Sequence, residues 1–172
     1  MTKKLLEIER KRQLTGDAKE LIKQLQDLGF EPKSSRHEID TYYSRPDVDF
    51  MQTVECLRIR QRDGFAEVTY KPATTIATHT KNDVIIKPET NLPIQPENAA
   101  IAKQLLANLG MVQLVEVNKY RRSFQSPDFP QATVAIDEIK DAGTFVEVEV
   151  LSDDETGDRK STRLNSSHEP LS

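Results

Sequence analysis

Apolar and charged residues alternate with a period of two along several short stretches of the chain. From Leu6 to Lys11, Leu6 and Ile8 fall on one side while Glu7, Glu9 and Lys11 fall on the other, as in a strand with one apolar face and one charged face. The same alternation sets Leu57 and Ile59 against Arg58 and Arg60, and it returns in Ala66–Lys71, Val84–Glu89, Leu114–Phe124, Thr133–Asp137 and Phe145–Val150. Residues 37–45 read as a further strand that stops at Pro46. Arg62, beside the Asp63-Gly64 turn, is expected at a solvated strand end.

Twice the period lengthens to that of a helix. Asp17 is placed to cap a helix whose stripe is Ala18, Leu21, Ile22, Leu25 and Leu28, with Gly29 closing it. This stripe is expected to cover the Leu6/Ile8 face of the sheet. Pro96 opens a second helix with Ile101, Leu105 and Leu109 as its stripe and Gly110 at its end. Both helices close with Leu-Gly, each after a strand carrying carboxylate and lysine, which hints at two similar halves. Residues 73–82 lack any period and read as a loop, with His79 solvated. From Asp158 onward the pattern stops altogether. Residues 158–172 resemble the translation of a sequencing-library adapter and are expected to be non-native, leaving residues 1–157 as one domain whose natural C-terminal end is truncated.

Composition narrows the function classes. A chain of 172 residues with 30% charged positions fits one soluble domain. No apolar run reaches membrane-span length and no leader precedes the first strand, so a cytoplasmic protein without a membrane partner is expected. The lone Cys56 excludes an internal disulfide, and a net charge of −4 argues against a general nucleic-acid surface.

The charged faces carry the chemistry. Collected together they offer Lys11, Arg58, Arg60, Lys71, Lys87, Lys119 and Arg121 against Glu7, Glu9, Glu89, Asp137, Glu147 and Glu149. A sheet covered by helices on its apolar side can curl this charged face inward as a polar-lined barrel. Such an interior needs ligands, because buried charges need partners. Carboxylates at i and i+2, roughly 7 Å apart along a strand, suit a hard divalent cation. Arginines and lysines at the same spacing suit phosphate held by side chains, since no glycine-rich phosphate loop is present. Nor is there a Ser/His/Asp or Cys/His set for covalent catalysis.

Glu-x-Glu-x-Lys, Leu-Arg-Ile-Arg, Thr-Tyr-Lys, Asn-Lys-Tyr-Arg, Ile-Asp-Glu-Ile and Phe-Val-Glu-Val-Glu-Val occur in that order over residues 5–150. In this the chain resembles the CYTH family of triphosphate tunnel metalloenzymes. Asp40 through Arg60 is most similar to the class IV adenylyl cyclase branch. Pro72, Asn91, Arg45 and Val48 depart from that branch. The resemblance implies an α+β fold, an antiparallel eight-stranded β-barrel with covering helices. It implies Mg²⁺ or Mn²⁺ on Glu7, Glu9, Glu89, Glu147 and Glu149, and triphosphate on Arg58, Arg60, Lys87, Lys119 and Arg121. Lys11, Lys71 and Asp137 are assigned to the chemical step. It implies a triphosphate partner such as ATP and allows a homodimer. Three activities stay open: cyclisation of ATP, hydrolysis of a triphosphate, and binding of polyphosphate or nucleotide without turnover.

Overall fold

A computed structural model describes residues 6–74 and 85–152, the side chains of 6, 7, 85–87 and 152 excepted. His79, Val84 and the 158–172 segment lie outside the described residues, as do the side chains of Glu7 and Lys87. Nine strands form one sheet: β1 (Leu6–Gln13), β2 (Glu31–Ser44), β3 (Cys56–Arg62), β4 (Phe65–Lys71), β5 (Ile85–Pro88), β6 (Thr90–Ile94), β7 (Val112–Ser126), β8 (Phe129–Ile139) and β9 (Gly143–Ser152). Their order is β5-β1-β9-β8-β7-β2-β3-β4-β6, and every pairing is antiparallel. The two outermost strands, β5 and β6, are separated in the chain by Glu89 alone. Counted as one strand broken at that residue, they join the sheet's two edges through the chain, although among the described residues no ladder closes the sheet; the eight-strand antiparallel architecture agrees with the tunnel that the resemblance implies.

Among the described residues three helices accompany the sheet: α1 (Ala18–Asp27), the single turn α2 (Phe50–Thr53) and α3 (Ala99–Asn108), the last preceded by a 3₁₀ turn at Pro96–Asn98. Asp17 caps α1 as expected, accepting from the Lys19 N–H at 2.8 Å. Gly29 and Gly110 end α1 and α3 at φ of 81° and 82°, a conformation that favours glycine.

The placement of α1 differs from expectation. Leu25 is buried with Phe124, Val134 and Ile136, and Ala18, Leu21, Ile22 and Val146 pack around them. The helix therefore covers β7, β8 and β9 rather than the Leu6/Ile8 face. Topology is the reason: the chain must pass over β9, β8 and β7 to travel from β1 to β2, and the helix rests on the strands it crosses. Leu28 stays 70% exposed. By the same logic α3 crosses from β6 to β7 and packs on β3 and β4. It turns Ala99, Ala102 and Leu106 toward the sheet and leaves Ile101, Leu105 and Leu109 exposed, the reverse of the stripe read from sequence. Two apolar periods coexist on this helix, and the one with small alanines wins the sheet side. Among the described residues no helix is long and apolar enough to cross a membrane.

The two halves are real. Each runs strand, helix, long strand, hairpin: β1-α1-β2-β3-β4 and β6-α3-β7-β8-β9. The long strands β2 and β7 pair with each other, and each half lends its first strand to the other, β1 to β9 and β6 to β4.

Candidate functional site

Strand alternation sends one set of side chains into the tunnel, and the ladder register decides which of them meet. Asp40 faces Arg60, Arg121 faces Asp137, and Lys11 faces Glu147, three cross-strand pairs of opposite charge. Two inward pairs are of like charge: Glu9 faces Glu149, and Arg36 faces Arg121. Like charges directly opposite are unfavourable unless something of the other sign joins them.

The opposite-charge pairs are tight. Arg60 clamps Asp40 with Nε–Oδ1 and Nη2–Oδ2 both at 2.7 Å, and Arg121 clamps Asp137 with Nε–Oδ1 at 2.6 Å and Nη2–Oδ2 at 2.7 Å. Lys119 Nζ bridges the two carboxylates at 3.1 Å and 3.3 Å. Lys11 Nζ reaches Glu147 at 3.2 Å and Asp137 at 3.4 Å. Burial works against the charge of Asp137, but the Arg121 hydrogen bonds and the neighbouring cations outweigh it and lower its pKa to about 2. Asp40, buried likewise, is held by Arg60 well below the usual carboxylate range. Lys119 is shifted the other way: burial and then Arg121 lower its pKa.

Glu38 was missed by the sequence reading. Fully buried at the centre of the β2–β7 pairing, opposite Lys119, it lies near Arg36 (3.1 Å), Arg60 (3.4 Å), Lys119 (3.6 Å), Arg62 (3.8 Å) and Arg121 (3.9 Å). Neither of its oxygens has a hydrogen bond of good geometry. The signal existed, since Glu38 and Asp40 repeat the i, i+2 carboxylate spacing of Glu7/Glu9 and Glu147/Glu149. Arg62 is also corrected: it is 23% exposed rather than solvated, stacked 4.0 Å from the Phe65 ring and turned toward Glu38.

Two chambers open along the tunnel, of about 680 and 390 Å³. Arg60, Arg121, Glu147 and Glu149 border both. The larger gathers the cations Lys11, Arg58, Lys71 and Lys119 with the carboxylates Glu9 and Glu89. Tyr42, Cys56 and Leu151 supply its less polar wall. Burial, then Asp40, raises the Tyr42 hydroxyl to about 12, and burial raises the Cys56 thiol. Arg58 donates to Thr69 Oγ1 at 3.2 Å and lies 3.9 Å from Asp40, while its buried Nε has no hydrogen-bond partner among the described residues. Lys71 Nζ contacts Glu9 at 3.2 Å and Glu89 at 3.7 Å. Asp137 stands behind this wall, touching Lys11, Lys119 and Arg121. Of the residues expected at the site, only Glu7 and Lys87 have side chains outside the description, although their backbones pair with each other.

The carboxylates Glu9, Glu89, Glu147 and Glu149 are hard oxygen donors. Burial and then Glu147 push the Glu149 carboxyl up. Among the described residues no three ligating groups converge closely enough to hold an ion unaided. Mg²⁺ commonly takes one or two carboxylates and completes its shell with water and phosphate oxygens. The donor set therefore fits a divalent cation that arrives with a phosphate-bearing ligand.

Comparison with known proteins agrees with this geometry. The model of the CYTH domain matches residues 5–170, a span that reaches into the segment from 158 onward. A protein of Methanocaldococcus jannaschii named "Putative adenylate cyclase MJ0240" is 30% identical over 145 residues, 84% of this chain and 77% of its own. The PH1819 protein of Pyrococcus horikoshii superposes with a TM-score of 0.69 at 27% identity, over 87% of this chain and 80% of that one. A Hippeastrum protein, HpAC1, described as a "putative adenylyl cyclase" with a dominant triphosphatase activity, superposes with a TM-score of 0.65 at 14% identity, over 93% and 83%.

Proposed function

This chain belongs to the CYTH domain family, and from that premise we propose that it is a divalent-metal-dependent enzyme acting on a triphosphate, with cyclisation of ATP to cyclic AMP and pyrophosphate as its reaction. The observation that carries the reading is the convergence of Lys11, Arg58, Lys71 and Lys119 with Glu9, Glu89, Glu147 and Glu149 on one chamber of about 680 Å³. Cations alone would describe an anion trap. Carboxylates interleaved with them describe a site for an anion that brings its own metal.

Bound Mg²⁺ or Mn²⁺ would neutralise phosphate oxygens and polarise the phosphorus under attack. Glu9, Glu89, Glu147 and Glu149 would hold it. Arg58, whose Nε has no hydrogen-bond partner among the described residues, grips the triphosphate, and Arg60 and Arg121, their forks held by Asp40 and Asp137, add fixed positive charge. Asp137 acts through Arg121 rather than as a base, because both its oxygens are occupied. In the cyclisation the ribose 3′-hydroxyl gives up its proton to water and its oxygen bonds to the α-phosphorus as the bond from that phosphorus to the bridging oxygen breaks, and pyrophosphate leaves with the bridging oxygen. Lys11 and Lys71 stabilise the charge that develops on this leaving group. Tyr42, Cys56 and Leu151 offer the less polar wall a nucleoside needs.

Hydrolysis of a triphosphate is the second reading, favoured by one observation: the chamber is lined mainly by charged groups that address phosphate, with few that address a base. The Hippeastrum neighbour's triphosphatase activity illustrates that the fold hosts such chemistry. Purified protein incubated with Mg²⁺ or Mn²⁺ and ATP, or with inorganic triphosphate, separates the two. Cyclic AMP and pyrophosphate support the cyclase; orthophosphate from inorganic triphosphate with no cyclic product sinks it.

A further inference from the structure

Of the arginines that border the larger chamber, Arg58 is held differently from Arg60 and Arg121. Those two are forked onto Asp40 and Asp137. Arg58 stays 3.9 Å from Asp40 and instead donates from Nη2 to Thr69 Oγ1 at 3.2 Å. The register explains the difference. Asp40, Arg60 and Glu67 lie in one row across β2, β3 and β4, so Arg60 has a carboxylate on either side. Two residues along, the row runs Tyr42, Arg58, Thr69 and Asn91 across β2, β3, β4 and β6, and Arg58 is its only charge. Asn91 is also one of the positions at which this chain departs from the cyclase branch. Thr69 is fully buried, so water cannot serve in its place. Its hydroxyl has a single proton, and Asn91 Oδ1 accepts it at 2.9 Å, nearer than the Glu67 carboxylate at 3.3 Å. With that proton drawn toward β6, the hydroxyl oxygen keeps its lone pairs for Arg58, a group that can only donate.

We propose that Thr69 is a positioning residue for Arg58, its hydroxyl oriented by Asn91, and that this neutral clamp fixes the guanidinium while leaving its charge for an anionic ligand. A carboxylate in that place would hold the guanidinium as firmly but would occupy its fork, as Asp40 occupies that of Arg60. That the anion is a triphosphate rests on the proposed function; the clamp itself does not.

Steady-state kinetics on ATP and inorganic triphosphate with Mg²⁺, together with side-chain NMR of the ligand-free protein, test this. Thr69→Val keeps the shape and removes the acceptor, so kcat/KM should fall about tenfold, the scale of one hydrogen bond to a charged group, while Thr69→Ser should stay within about threefold of wild type. In an Arg58→Ala background the same Thr69→Val change should cost less than about twofold, because Thr69 acts through Arg58. A tenfold loss that persists in that background overturns the proposal, since a general structural role would not depend on Arg58. Asn91→Asp should raise KM about fivefold, the effect of one added negative charge a few ångströms from the guanidinium; an unchanged KM overturns the claim that the clamp must be neutral. Without ligand, the guanidinium NMR signal that vanishes in Arg58→Lys should show hindered rotation about its Nε–Cζ bond in wild type and in Thr69→Ser, and fast rotation in Thr69→Val. Fast rotation in wild type overturns the clamp. If Thr69→Val does not fold, the wild-type signal and Asn91→Asp decide. If wild type neither binds nor converts either triphosphate, the proposed function falls, and the ligand-free signal still decides the clamp.

Discussion

Replacing Asp137 with Asn tests the claim that this carboxylate is a fixed counter-ion. It is 1% exposed and accepts two hydrogen bonds from Arg121, with Lys119 and Lys11 at 3.3 and 3.4 Å. Its pKa falls from the ordinary 3.8 to about 2. A depressed carboxylate stabilises the fold above its unfolded value and loses that contribution as pH falls through the folded value. The shift corresponds to about 2 kcal/mol, present at neutral pH and lost progressively between roughly pH 4 and pH 2. Asn would not orphan the cations, since Arg121 keeps Glu147 at 3.1 Å and Lys119 keeps Asp40 at 3.1 Å. The loss should therefore stay near about 2 kcal/mol rather than the roughly 3–5 kcal/mol of an abandoned buried charge. In urea this lowers the unfolding midpoint by on the order of 1 M at pH 7. The gap between wild type and variant should narrow steadily as pH falls from about 4 to about 2, and because Asp40 is present in both proteins the difference isolates Asp137. An unchanged midpoint at pH 7, or a gap that persists undiminished in acid, refutes the counter-ion argument.

Further expectations follow from the same geometry. Glu149 is pushed up by burial and by Glu147, so the fold favours its protonated form and stability declines as pH rises through its raised value; Glu149→Gln should abolish that decline in thermal unfolding from pH 4 to 7 while removing metal-dependent turnover. Arg58→Ala should cut kcat/KM for the triphosphate by about a hundredfold, lowering kcat and raising KM together, with Arg58→Lys recovering only part because the fork is lost; an unchanged value would place Arg58 outside the substrate contact. Leu105→Glu, on the exposed face of α3, should shift stability by less than about 0.5 kcal/mol in urea unfolding; a loss of several would mean that this face is covered in solution.

Much of the tunnel was legible because strand alternation is local. Whether Glu9 and Lys11 share a face follows from their spacing alone, and so does the partition of Arg58 and Arg60 from Leu57 and Ile59. The αL glycines and the Asp17 cap are local too. What sequence could not supply was adjacency. Lys11 meets Glu147, and Glu9 meets Glu149, only because β1 lies beside β9, and no local pattern encodes that choice. The position of α1 failed for the same reason, being set by which strands the chain must cross. α3 failed differently, because two apolar periods competed on one helix and small size rather than hydrophobicity chose the buried one. Pro130 and Pro93 sit within β8 and β6, whereas the alternation legible in the sequence begins only at Thr133 and ends at Glu89, short of both. Glu38 went unnoticed because a buried carboxylate is recognisable only once the five cations around it are assembled.

The exchange of first strands between the halves also governs how the protein is made. β1 is synthesised early, yet its long ladder runs against β9, with Leu6 opposite Ser152. At roughly 5–20 residues per second, a ribosome needs on the order of ten seconds to produce that partner. Through this interval β1 is a strand without its neighbour, and an apolar strand in that condition invites pairing with other chains. Glu9, Arg10, Lys11 and Arg12 put charge at four successive positions, which keeps the waiting strand in water. The residues that later line the tunnel thus first act as protection against misassembly, and the slowest event in folding should be the closing of β1 onto β9.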